Sequence, residues 1–175
     1  MKKLFKRFGR WLSPSAFGLA VICFAMPFMG VTCADETLFT VNAFDVAAGG
    51  VYPKHLEGKT EGVDEEEPDD VKAKPANILM SVALPLFVLA ALCATWRNKP
   101  GLALTLSFGG AGVLTTILYR VQCSWSFNVA MNPTSVGDLD LSGLLHQEWR
   151  YGFWCIILFG LAGLIGRIYY ERVRE

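Results

Sequence analysis

Histidine is almost missing from the chain: His55 and His146 are the only two, and both fall outside the long apolar runs. A membrane haem, which draws ligands such as His from within helices, would find none there. The same runs carry no acid in their interiors, so the buried carboxylate used by proton-coupled pumps and small multidrug exporters has no candidate. There is no Gly-rich phosphate loop, no His/Cys metal spacing and no nucleophile elbow. Five cysteines are present without a single Cys-x-x-Cys. A quinone-coupled, disulfide-generating membrane enzyme passes electrons between two cysteine pairs, so a thiol-redox enzyme is only a third reading. Cys23, Cys93 and Cys155 lie within apolar runs and read as small buried hydrophobes.

What the chain does have is apolar length: 53% of its 175 residues are hydrophobic. Its organising stretch is 78–119, two 19-residue runs free of charge, joined by Arg97-Asn98-Lys99-Pro100. Each run rises about 28 Å as a helix, close to the ~30 Å hydrocarbon core of a bilayer. The joint is too short for anything but a tight helical hairpin, and its two cations mark it as cytoplasmic. The expected fold is an all-α membrane protein with four transmembrane helices, both ends inside, and a small extracytoplasmic β cap built from the two outer loops. In that scheme the inner segments carry ten Lys/Arg and two acids, and the outer ones six and fourteen.

The segments follow from this frame. Residues 1–14 read as a basic amphipathic helix on the inner leaflet. Lys2, Lys3, Lys6, Arg7 and Arg10 lie on one face as lipid-surface candidates, and Leu4, Phe5, Phe8, Trp11 and Leu12 on the other. Residues 15–34 form the first spanning helix, kinked at Pro27; the competing reading is a signal peptide cleaved near Thr32-Cys33-Ala34. The first outer loop, 35–75, has a β-prone segment near 37–44 and then an acidic tract, densest from Glu61 to Asp70, that reads as a solvated linker. Residues 76–96 and 101–119 are the second and third helices, around the 97–100 turn, with a kink expected at Pro85. In the second outer loop, 120–150, strict alternation over 121–129 predicts a half-buried strand, and 138–141 alternates again, the pattern of a third short strand. The fourth helix spans 151–170, with Arg167 able to snorkel to the inner surface, and 171–175 is a cytoplasmic tail.

Two further expectations concern contacts. Gly109, Gly110, Gly112, Gly160 and Gly163 form small-residue faces that admit a close helix, from a partner or from the same bundle. Cys33 and Cys123 lie at similar depth in an oxidising compartment, and are expected to form a disulfide tying the outer loops together.

A pattern is carried by Met26-Pro27-Phe28-Met29-Gly30-Val31-Thr32-Cys33, then Ala43-Phe44-Asp45-Val46-Ala47-Ala48-Gly49, and Tyr151-Gly152-Phe153-Trp154. It resembles one in uncharacterised small bacterial four-helix integral membrane proteins. There the first helix ends in Pro-Phe and a Val-Ser-Cys-like triplet, followed by a Gly-aromatic-Asp-Leu-Ala-x-Gly-like segment. Ala43, Val46 and Thr32 depart from that pattern, standing for Gly, Leu and Ser. The resemblance implies four helices and a structured Cys33, and no known activity.

The resulting expectation is a multi-pass protein of the bacterial inner membrane with a structural or accessory role and no cofactor or nucleic acid. Its partners would be the bilayer, anionic lipids at the N-terminus, and a second copy or another membrane protein. The alternative is a small oligomeric transporter or channel lined by Thr105, Ser107, Thr115 and Thr116.

Overall fold

The computed structural model describes residues 2–33, 36–49, 76–96, 98–131 and 145–174. In chain order they form α1 (Lys2–Cys23), β1 (Pro27–Cys33), β2 (Glu36–Asn42), α2 (Ala43–Ala48), α3 (Ile78–Thr95), α4 (Lys99–Met131), β3 (Leu145–Trp149) and α5 (Tyr151–Arg174). Three helices contain stretches long and apolar enough to cross a membrane: Ile78–Thr95, Lys99–Ser126 and Tyr151–Val173. The acidic tract 61–70, the alternation at 138–141 and His55 lie outside the described residues.

The N-terminal segment departs from expectation. The basic stretch and the first apolar run form one continuous helix, and it stops at Cys23 rather than near Thr32. Its apolar part, Trp11–Cys23, rises about 20 Å. The stop is local chemistry. Phe24, Ala25 and Met26 donate backbone N–H groups to the carbonyls of Val21, Ile22 and Cys23 in tight turns. Pro27 has no N–H to continue the series and biases Met26 toward extended geometry. Pro27 therefore does not kink a helix; it opens β1.

β1 is the centre of a three-stranded antiparallel sheet of order β2-β1-β3. Met29 pairs with Val41 on one side and Trp149 on the other, and Thr32 with Thr37 and His146. The strand expected at 37–44 is present as Glu36–Asn42, after which the chain turns into α2. Asn42 caps that helix, its Oδ1 accepting from the Asp45 N–H at 2.7 Å, and Gly49 ends it in the left-handed region at φ 73°. α2 brackets the helix ends nearest the sheet: Phe44 N–H donates to the Phe24 carbonyl, and Asn77 N–H to that of Val46. The Ser81 hydroxyl, in the first turn of α3, donates to Ala47.

The strand expected at 121–129 is not formed; α4 runs through it to Met131. Extending an existing helix adds one hydrogen bond per residue without a new nucleus, and nothing between Tyr119 and Pro133 breaks it. The alternating side chains are not sorted by burial either, since Val121 and Trp125 are exposed along with Gln122 and Ser126.

The four long helices pack as a ring in which α1 and α4 each neighbour both α3 and α5. α1 runs antiparallel along α5. The Ser13 hydroxyl donates to the Gly163 carbonyl, a Cβ on Gly166 would meet Leu12, and Cys23 neighbours Cys155. Each helix turns large apolar side chains outward, among them Ile22 on α1, Leu92 on α3, Leu114 on α4, and Leu158 and Ile165 on α5. Such continuous apolar exterior suits a lipid rather than an aqueous surround.

Candidate functional site

The bundle axis is set by two phenylalanines and four glycines. Phe17 of α1 and Phe87 of α3 are fully buried, with ring centroids 6.4 Å apart. A Cβ on Gly109 or Gly163 would lie 2.7 or 2.8 Å from the Phe17 ring, and one on Gly112 or Gly160 3.3 or 3.0 Å from the Phe87 ring. The rings thus occupy hollows that only glycine leaves open. Gly110 differs: nothing lies within 4 Å of its Cβ position. The small-residue faces are consequently filled from within the chain, Gly110 excepted.

At the sheet end of the bundle, aromatic side chains join the cap to the helices. Phe28 of β1 packs against Tyr119, Trp149 and Phe153, with centroids 5.8, 5.7 and 5.5 Å away. Arg120 lies over Trp149, Phe153 and Trp154, its guanidinium carbon 5.7, 5.3 and 5.1 Å from the three ring centres. Each ring face attracts the cation electrostatically, so the charge fastens β3, α4 and α5 together. Gly152 makes this junction possible, since a Cβ there would sit 2.5 Å from the Pro27 carbonyl oxygen. At the cap's rim, Arg150 Nη2 donates to Thr37 Oγ1 at 2.9 Å and pairs with Glu148 at 3.0 Å.

Beside the aromatic cluster, Cys123 Sγ is 3.6 Å from Met29 Sδ, and Gln147 Nε2 is 2.8 Å from Met29 Sδ and 3.1 Å from Cys123 Sγ. Cys123 is a free thiol, and the Cys33–Cys123 disulfide is not formed. The register explains why. Cys33 is at the far end of β1, paired with Glu36 and Leu145, about 13 Å along the strand from Met29. Helix continuation through Cys123 places its thiol at the other end of that strand.

At the end of the bundle away from the sheet, Arg167 does not reach the surface. It is 3% exposed, and its Nη2 donates to the Trp96 carbonyl at 2.9 Å. The last carbonyls of α3 lack intrahelical partners and carry partial negative charge, so they draw the guanidinium inward. Its guanidinium carbon also sits 5.9 Å from the Tyr170 ring centre.

The remaining candidates are spread along the helices. Lys2, Lys3, Lys6, Arg7 and Arg10 all fall in the N-terminal half of α1. Thr105 donates to Gly101, Thr115 to Ala111 and Gly112, and Thr116 to Gly112, so these hydroxyls are satisfied on their own helix. Ser107 is exposed, as is His146. Among the described residues, no group of three or more His, Cys, Asp or Glu side chains gathers that could hold a metal.

Sequence reasoning missed the helix caps Asn42, Asn77 and Gly49 and the buried role of Arg167. The Asn-x-x-Asp spacing ahead of an alanine-rich hexamer and Gly49 was the available signal for α2. For Arg167 there was none, because its partner is a backbone carbonyl 71 residues away. Comparison with known protein families, with curated proteins and with solved structures finds no match.

Proposed function

We propose that the chain is a multi-pass protein of the bacterial inner membrane with a structural or accessory role, crossing the bilayer four times with both ends inside. In this reading it is of the same kind as the small four-helix bacterial membrane proteins its sequence resembles. The observation that carries the role is the filled axis, where Phe17 and Phe87 sit in glycine hollows of α4 and α5. A bundle closed in this way leaves one copy no lumen at that level, and the hydroxyls of Thr105, Thr115 and Thr116 are already bonded to their own helix.

The fourth crossing is α1, whose apolar part is short but continues through Phe24 and Phe28 into the aromatic junction under the cap. Its basic half then meets anionic headgroups at the inner surface, where each cation near the surface adds about 1 kcal/mol of attraction. A membrane-protein partner or second copy would meet the lipid-exposed helix faces or the outer stretch of α4. That helix, at 33 residues, rises about 50 Å and overshoots the hydrocarbon core.

Reporter fusions after Arg10, Lys59, Asn98, Asn132 and Glu175 should alternate in-out-in-out-in, and purification from native membranes in mild detergent should retain a membrane partner or a dimer. An outside C-terminus would overturn the topology. Solute or ion flux through reconstituted protein would overturn the structural role in favour of a conduit.

A further inference from the structure

We propose that Met29, Cys123 and Gln147 form a binding site for one monovalent soft cation of the Cu(I) class. Three different elements, β1, α4 and β3, bring these side chains to one point at the outer end of the bundle. The edges of the triangle they make are 3.6, 3.1 and 2.8 Å. A circle through its corners has a radius of about 1.9 Å, so a point ~2.3 Å from all three, a metal–thiolate bond length, lies little more than ~1 Å above their plane.

The donor types choose the ion. Thiolate and thioether sulfur favour Cu(I) among the biological metals, and the amide of Gln147 offers its carbonyl oxygen after a half-turn about its last bond. Charge narrows the choice further. Met29 is 7% exposed and belongs to the apolar cluster with Val41 and Tyr119, against which Cys123 and Trp149 pack. A thiolate with Cu(I) is neutral there, whereas a divalent ion would leave a net positive charge in a low-dielectric pocket. Cys123 and Gln147 are themselves half-buried. As the sulfur–copper bond forms, the thiol proton passes to solvent and no electron is transferred.

The test uses the full chain, purified in mild detergent with its thiols reduced and titrated anaerobically with Cu(I) against a chromophoric Cu(I) chelator. Alkylation of Cys123 is followed by mass mapping, which separates it from the other thiols. One equivalent of Cu(I) should slow Cys123 alkylation by about tenfold or more, and Zn(II) should not. Met29→Leu, close to volume-conserving, should weaken Cu(I) binding by about tenfold while leaving the detergent melting point near that of the parent. Cys123→Ser should abolish the protected site. Cys123 alkylation at the same rate with and without Cu(I), or Met29→Leu binding as tightly as the parent, would overturn the proposal. Met29→Leu decides alone if Cys123→Ser does not fold.

Discussion

Replacing Gly109 and Gly110 by alanine, one at a time, separates backbone propensity from packing at two adjacent positions of α4. Both substitutions remove the same helical penalty of glycine, up to about 1 kcal/mol. At Gly110 nothing lies within 4 Å of the new methyl group, so the gain is uncontested. At Gly109 the methyl would stand 2.7 Å from Phe17 Cζ and 2.9 Å from Leu164 Cδ2. Phe17 cannot swing aside, because it is fully buried and a Cβ on Gly163 would already be 2.8 Å from the same ring. Overpacking of this kind costs about 1–3 kcal/mol, and contacts this short belong in the upper half of that range. Gly110→Ala should therefore be neutral to stabilising, and Gly109→Ala destabilising by roughly 1–2 kcal/mol net.

Denaturant or thermal unfolding in mild detergent, followed by circular dichroism, reads the two midpoints directly. Adding Phe17→Leu to Gly109→Ala should restore part of the loss, since the two positions are in contact and couple. Equal shifts for both alanines, or strict additivity of Phe17→Leu with Gly109→Ala, would refute the assignment of Phe17 to the glycine hollow.

Two further outcomes follow from the ends of the bundle. In the cap bracket, Gly49→Ala should cost about 1–2 kcal/mol because φ is 73°, and Asn42→Ala about 1 kcal/mol through loss of the α2 cap, both seen as faster amide exchange in α2. At the inner end, Arg167→Met should destabilise by about 1–3 kcal/mol in the same unfolding assay, by stripping the Trp96 carbonyl of its donor. Arg150→Ala should cost under about 1 kcal/mol, because its ion pair with Glu148 is solvent-screened; equal losses for the two arginines would contradict the burial difference.

The sequence by itself determined the elements whose cause is local. A charge-free run of helix length is apolar wherever it is placed, and α3, the body of α4 and α5 follow from that alone. The four-residue joint 97–100 leaves room in the sequence only for a tight turn. The β-prone segment before α2 needs only its own residues to favour extension, and it is β2.

Tertiary structure decided the rest. Where α1 ends depends on the tight turns before Pro27 and on a sheet waiting to take β1, neither of which shows in hydropathy. Residues 121–129 alternate as a strand does, yet they follow an established helix with no breaker between, and the helix simply continued. The glycines announced close packing without saying against what; Phe17 and Phe87, distant in sequence, supplied the answer. The same distance explains the cysteines. Equal depth suggested Cys33 for Cys123, but α4 carries Cys123 to Met29 while the strand register holds Cys33 at the far end of β1. Periodicity reports what one element needs to bury, and only the assembled fold determines which partner meets that need.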